Sequence, residues 1–126
     1  MWVGTLELDL LLGGMGLPVR SLKEKRSVVR PIVAELQRRF AVSAAEAGFQ
    51  DLHRRALVGV AVVSADRAHC VSVLSNCERL VAGRPEIELL SARQRLVSSA
   101  DEADRAADPT DQAESAGYVS EGEDGG

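Results

Sequence analysis

The chain has 126 residues, of which 45% are hydrophobic, and its formal net charge is -4. This length and composition are typical of one soluble globular domain. The longest apolar-rich stretch, residues 56–65, is too short to span a bilayer, and the acidic residues near the N-terminus do not suit a signal peptide. We therefore expect a cytoplasmic protein that does not cross a membrane.

Charge is distributed unevenly along the chain. Residues 1–98 contain 14 Lys and Arg against 10 Asp and Glu, a balance of +4, whereas residues 99–126 contain one Arg against nine acidic residues, a balance of -8. The C-terminal segment also has very few large apolar residues, so it cannot bury enough surface to offset its chain entropy. We predict a folded domain over residues 1–97 and a disordered acidic tail over residues 98–126.

The first third of the chain predicts a strand followed by a long helix. Apolar residues occupy even positions from Trp2 to Leu12, which is the period of a half-buried strand. Glycines then interrupt the pattern, and Ser21 with Glu24 three residues later forms a capping box. An apolar stripe predicts a helix from about Leu22 to Arg39. Pro31 lies inside this helix and is expected to kink it, because the stripe continues in register beyond the proline.

The rest of the folded part predicts two more strands, a second helix and a last strand. Phe40 to Ala47 is a weak strand candidate, and Ala56 to Ser64 is an apolar strand of the central type. Asp66 is placed as the N-cap of a helix that ends at Gly83, and Glu86 to Val97 follows as the final strand. The apolar stripe of this second helix consists of Cys70, Val73, Leu74, Cys77, Leu80 and Val81. The order β-α-β-β-α-β indicates an α+β, ferredoxin-like fold, with a four-stranded antiparallel sheet and two helices on one face.

Two segments, SLKEKRSVV at 21–29 and the stretch from Phe40 to Cys70, resemble the YlxP-like family of small bacterial proteins. The resemblance covers roughly residues 1–97. Its most specific parts are SLKEKR, the spacing of Glu46 and Asp51, and Gly59 followed by Ser64, Asp66 and Arg67. It implies a ferredoxin-like fold, a bacterial cytoplasmic setting, and genes that neighbour those for translation initiation and ribosome-binding factor A. It implies no activity, because the family is a domain of unknown function.

Basic residues are concentrated at the start of the first helix, in RSLKEKRSVVR at 20–30. At about 100° per residue, Lys23, Arg26 and Arg30 lie within about 60° of one another, and we call these three residues the basic ridge. Together with Arg20 and the free N–H groups of the first helical turn, the ridge is expected to attract phosphate. The alternative interpretation is an ordinary solvated helix surface.

Two further pairs of arginines follow. Arg54 and Arg55 lie in a polar loop before the central strand, where either nucleic-acid contact or simple solvation accounts for them. Arg38 and Arg39 suit a helix C-terminus on electrostatic grounds and are interpreted as structural capping residues.

No set of residues predicts catalysis. The GGMG motif at 13–16 lacks the third glycine of a dinucleotide fingerprint and a Walker lysine. An acylphosphatase-like site would need an asparagine on a strand, and Asn76 is placed on the second helix. The acidic and histidine residues have no metal-ligand spacing, and Cys70 and Cys77 are expected to face the core. We therefore expect a protein that is not an enzyme and has no cofactor and no metal site.

Two hypotheses about function remain. The first is a non-catalytic RNA- or ribosome-associated accessory protein that contacts phosphates through Arg20, the basic ridge, Arg54 and Arg55. Since the chain has only four aromatic residues, it would recognise phosphate and shape rather than stacked bases. The second is a protein-interaction or self-associating domain that uses the open sheet face or the edge strand at 40–47. The expected partners are thus an RNA or ribosomal subunit, or a second copy of the chain.

Overall fold

The computed structural model describes residues 1–14 and 19–100. The elements are β1 (Trp2–Leu12), α1 (Leu22–Arg39), β2 (Ser43–Gly48), β3 (Arg55–Ser64), α2 (Arg67–Ala82) and β4 (Ile87–Ser98). The strands form one antiparallel sheet in the order β2-β3-β1-β4. The predicted ferredoxin-like α+β fold is confirmed, and α1 matches its predicted limits at both ends.

The hydrophobic core lies between the sheet and the two helices, and it follows directly from the sequence periods. Every second residue of β1 from Gly4 to Leu12 is buried, as are alternate residues of β3 from Ala56 to Val62. The helices contribute the buried residues Val29, Ile32 and Leu36 from α1, and Cys70, Leu74, Cys77 and Val81 from α2. Side chains on the other sheet face are left without a helical cover.

Capping residues fix the ends of the helices. The Ser21 hydroxyl accepts a hydrogen bond from the Glu24 N–H at 3.1 Å, and the Asp66 carboxylate accepts one from the Ala68 N–H at 3.0 Å. Gly83 caps the C-terminus of α2. These positions agree with the sequence prediction.

Strand β2 begins three residues later than predicted, at Ser43 instead of Phe40. Phe40 is the C-cap of α1, and its N–H donates to the Leu36 carbonyl at 3.0 Å. The Val42 N–H then donates to the Phe40 carbonyl at 2.8 Å, which turns the chain into the strand. Residues 40–42, which the sequence pattern assigned to the strand, therefore cap the helix and form the turn that precedes β2.

The two ends of the folded part meet beside β1. The N-terminal ammonium group of Met1 donates to the Ser99 hydroxyl at 3.0 Å, and the Ser99 N–H donates to the Met1 carbonyl at 2.9 Å. Strand β4 ends at Ser98, one residue after the predicted limit of the domain. The predicted acidic tail lies outside the described residues from position 101 onward. Neither helix in the described ranges is long and apolar enough to be a membrane span.

The glycine-rich connection after β1 is described only in part. Gly13 has φ 83°, in the left-handed region that favours glycine, and this explains a glycine directly after the strand. Residues 15–18, which include the second half of the GGMG motif, lie outside the described residues.

Candidate functional site

The basic ridge lies on the surface of α1. Lys23, Arg26 and Arg30 are all exposed, as is Arg20 immediately before the helix cap. Among residues 1–14 and 19–100, none of these four cations takes part in an ion pair. The ridge extends over two helical turns, about 10 Å at 1.5 Å per residue. Measured along the axis of a duplex, that length corresponds to about three nucleotides of one strand at a rise of roughly 3.4 Å each.

One side of the ridge borders a groove between α1 and the edge strand β2. Arg26 and Arg30 line this groove together with Val33, Gln37 and Glu46, and its volume is about 320 Å³. Its charged lining consists of two arginines and the Glu46 carboxylate, and the Gln37 amide is neutral. The excess of one positive charge extends the positive surface of the helix towards the sheet.

The helix start contributes less to anion binding than the sequence suggests. Besides the Glu24 N–H, which donates to Ser21, the Glu24 carboxylate accepts a hydrogen bond from the Arg20 N–H at 3.0 Å. A carboxylate of the chain itself thus occupies the position where the positive end of the helix dipole would favour an anion. Phosphate affinity at this end of the molecule must come mainly from the four cationic side chains.

Arg54 lies in the loop as predicted, but Arg55 is the first residue of β3, and its side chain is bound to the fold. Its guanidinium binds the Asp9 carboxylate in a bidentate arrangement, with distances of 2.7 Å and 2.8 Å from Nη2 to the two oxygens. It also lies over the Phe49 ring, 4.8 Å from the ring centroid. These contacts neutralise its charge and fix its plane. Arg54 is exposed, and its Nε donates to the Leu12 carbonyl at 3.3 Å.

Sequence reasoning missed Lys25, which is the single buried charged residue in the part of the chain that the structure describes, with 1% exposure. Its ammonium group lies 2.6 Å from Oε2 of Glu46 and donates to the Phe49 carbonyl at 2.6 Å. Oε2 of Glu46 is also buried. Its contact with the Lys25 ammonium group is an ion pair whose angles do not meet hydrogen-bond geometry. A signal was present, because Lys25 takes an apolar position in the helical series that continues with Val29 and Ile32.

The Lys25 contacts bring the first half of α1 close to the turn that follows β2. Lys25 lies between two ridge residues in the sequence, and its partner Phe49 is covered by Arg55. The Arg54 carbonyl accepts from the Leu12 N–H at 2.7 Å, so the loop is also attached to the end of β1. The first half of α1 and the loop at 49–54 are therefore neighbours.

A second group of arginines surrounds the C-terminal ends of both helices. Glu35 lies at its centre, 2.6 Å from Arg84, 3.5 Å from Arg39 and 4.0 Å from Arg38. With Arg79 it borders a groove of about 590 Å³. Arg38, Arg39 and Arg84 share the Glu35 carboxylate, and Arg38 and Arg39 lie in the last turn of α1, where the helix dipole favours positive charge.

The two cysteines of the chain, Cys70 and Cys77, both lie on α2. Both cysteines are free and fully buried, as predicted. Burial raises the pKa of the Cys77 thiol to about 11, which keeps it protonated and unreactive at neutral pH. Residues 1–14 and 19–100 contain no group of three His, Cys, Asp or Glu side chains arranged to hold a metal ion.

Comparison with known proteins identifies the family. Residues 3–94 match the model of a family described as "Protein of unknown function (DUF503)". The chain belongs to this family. It is also similar to a curated relative, "Uncharacterized protein YlxP" of Bacillus subtilis (strain 168), with 35% identity over 86 residues, which cover 68% of this chain and 89% of that protein. The resemblance noted from SLKEKR and the central strand is thereby confirmed, and neither description names an activity.

Proposed function

We propose that this DUF503 protein is a non-catalytic RNA- or ribosome-associated accessory protein that contacts phosphates through Arg20 and the basic ridge. The observation that carries the proposal is the contrast between two kinds of cation. Arg39, Arg55 and Arg84 each have an acidic partner within 3.5 Å, whereas the ridge residues have none among the described residues. Cations that the fold does not use remain available for an external anion.

The support beneath the ridge favours a binding role. Lys25 anchors α1 to strand β2 through Glu46 and to the following turn through Phe49. The ridge residues on either side of Lys25 therefore project from a fixed helix, which lowers the entropy cost of aligning them with a phosphate backbone. Arg54 extends this surface on the loop side, while Arg55 contributes by positioning the loop.

The choice of phosphate over base recognition rests on the aromatic residues. Phe49 lies under Arg55, and Trp2 has the Arg67 guanidinium 5.6 Å from its ring centroid. Neither ring is thus a free stacking platform of the kind that sequence-specific RNA-binding sheets present. We expect binding that depends on charge and helical shape and tolerates changes of RNA sequence.

The test is the salt dependence of binding to an RNA duplex and of sedimentation with ribosomal subunits. Replacing Lys23, Arg26 and Arg30 together by Gln removes three cations and keeps helix propensity nearly constant. If each contacts one phosphate, the slope of log K against log salt should fall by roughly 2 to 3 units, at about 0.7 to 0.9 per phosphate.

The matched control is the triple change of Arg38, Arg39 and Arg79 to Gln, which removes three exposed cations at the helix C-terminal ends. This variant should keep most of the wild-type slope. Equal loss in both variants would show a bulk charge effect and refute the ridge as a site. Unchanged binding in the ridge variant would refute the RNA proposal itself.

A further inference from the structure

We call the sheet face opposite the helices the open face. One half of it carries short side chains and the other half carries long ones, and we call these the low half and the tall half. In the middle of the face, β2 and β3 carry the small residues Ala45, Ala47, Gly59 and Ala61, and the larger Leu57 and Arg55 lie beyond them at one end of β3. The cross-strand register places long side chains beside them on β1 and β4. These are Glu7, Arg93 and Arg95. One end of the face is closed by Val3, Val63 and Val97, of which Val63 is 60% exposed.

The edge of the sheet at β2 offers much less to a partner. The Gln37 amide donates to the Ala44 carbonyl at 2.8 Å, and Lys25 donates to the Phe49 carbonyl just after the strand. Side chains of α1 thus satisfy backbone acceptors that an added strand would need. A partner of this protein is better accommodated on the open face than along β2.

We propose that a second copy of this chain docks on the open face. The two copies are related by a two-fold axis that lies between their facing sheets, over the boundary of β1 and β3 and parallel to the strands. This axis exchanges the two halves, so the tall half of each copy lies over the low half of the other. The long side chains around Arg93 then cover the small residues around Ala45, and the exposed Val63 packs near the axis. A face with this profile is complementary to itself, as a two-fold interface requires.

Charge placement is consistent with this arrangement. The two β4 strands are displaced sideways by three strand spacings, about 14 Å at 4.8 Å each. Arg93 and Arg95 of one copy therefore do not lie opposite those of the other. Within each copy, Glu7 lies 3.9 Å from Arg93 and offsets part of its charge.

The size of the open face sets the expected strength of the dimer. Four strands span about 19 Å and about eight residues span about 26 Å, which gives roughly 500 Å² of flat area per copy. The total of roughly 1,000 Å² for the two copies lies at the lower limit for specific interfaces, so we expect a weak and reversible dimer. The basic ridge lies on the opposite layer of the fold and stays exposed in the dimer.

The test is sedimentation velocity of the full chain over a wide concentration range. The wild type should convert reversibly from monomer to dimer as its concentration rises, and raised salt should not dissociate it. Ala45→Lys and Val63→Lys each place a long cation on the open face and should weaken the dimer at least tenfold. Ala82→Lys, the same kind of change at an exposed position of α2, is the matched control and should leave the dimer unchanged.

Both face positions are solvent-exposed in the monomer, and circular dichroism with thermal unfolding establishes that each variant is folded. A wild type that remains monomeric at all concentrations would overturn the proposal, whatever it binds. A dimer that resists both face variants would place the interface elsewhere. If the chain stays monomeric but the face variants change RNA affinity, the open face serves nucleic acid and the dimer is refuted.

Discussion

The ammonium group of Lys25 donates a 2.6 Å hydrogen bond to the carbonyl oxygen of Phe49, the one non-glycine residue with a left-handed backbone (φ 57°) in residues 1–14 and 19–100. The same oxygen accepts from the Leu52 N–H at 3.0 Å. A left-handed conformation costs a residue with a side chain roughly 1–2 kcal/mol. The two hydrogen bonds, with Arg55 stacked on the ring, offset that cost. A lysine of α1 thus holds the turn after β2 in its shape.

Replacing Lys25 by Met should destabilise the fold substantially. The change leaves the Glu46 carboxylate without its cation and removes a donor from Phe49. Breaking a fully buried ion pair costs about 3–5 kcal/mol, and we expect about 2–4 kcal/mol here because the Glu46 side chain keeps 22% exposure. Urea denaturation gives the free energy of unfolding that checks this value.

The double variant Lys25→Met with Glu46→Leu is the control. Since an apolar pair avoids the desolvation cost of two charges, it should recover most of the lost stability. A single variant that loses less than about 1 kcal/mol would contradict a buried structural pair and require Lys25 to be solvated.

Most of the fold could be predicted because its signals are local. The alternation along β1, the cap at Ser21 and the stripe of α2 each depend on residues close in sequence, and all three are confirmed. The start of β2 could not be predicted from the sequence. Phe40 acts as a helix cap, and Ala-rich segments have only a weak intrinsic preference for β structure.

Only part of the candidate site could be predicted from the sequence. Helical spacing alone groups Lys23, Arg26 and Arg30 on one side of α1. The partners of Lys25 and Arg55, by contrast, lie 21 and 46 residues away and depend on how the helix and strands pack. Exposed cations could therefore be predicted from the sequence more easily than cations that form ion pairs within the fold.

Gly4 should resist enlargement because α2 crosses β1 at this point. A Cβ atom on Gly4 would lie 2.9 Å from Cδ1 of Leu74 and 3.3 Å from Cβ of Cys70. The leucine can move, but the Cys70 Cβ is fixed to the helix backbone. We expect Gly4→Ala to cost about 1–3 kcal/mol in the free energy of unfolding.

Gly14→Ala provides the comparison, because a Cβ atom there has no neighbour within 4 Å among residues 1–14 and 19–100. Its effect should stay within about 0.5 kcal/mol, as for ordinary surface changes. Equal costs at the two positions would show that backbone entropy, and not helix packing, determines the tolerance of Gly4.

The stability of the protein should fall in alkaline solution partly through Cys77. Burial raises the pKa of this thiol from its ordinary value of 9.0 to about 11, so the folded state holds the proton more tightly than the unfolded state. The corresponding stability is complete below pH 9 and is lost as pH rises to 11. Two pKa units correspond to about 2–3 kcal/mol.

Urea denaturation at pH 8 and pH 10.5 measures this loss, and Cys77→Ala isolates it. The alanine variant starts less stable because of the cavity it creates, but it lacks the titrating group and should lose less stability between the two pH values. Parallel losses in the two proteins would assign the alkaline effect to other groups.

Removing residues 101–126 should leave the fold intact and strengthen binding to RNA. Truncation after Ala100 keeps the hydrogen bonds between Met1 and Ser99, so the thermal midpoint should move by no more than a few degrees. The removed segment has a net charge of -8, and we expect it to compete with phosphate for the basic ridge. We therefore expect a several-fold gain in RNA affinity at about 50 mM salt that disappears near 1 M, where the Debye length is about 3 Å.

A full-length variant with every Asp and Glu after residue 100 changed to Asn or Gln separates charge from chain length. It should bind RNA as tightly as the truncated protein. If both variants bind no better than the wild type at low salt, the acidic segment does not compete for the ridge. If only truncation improves binding, the effect is steric.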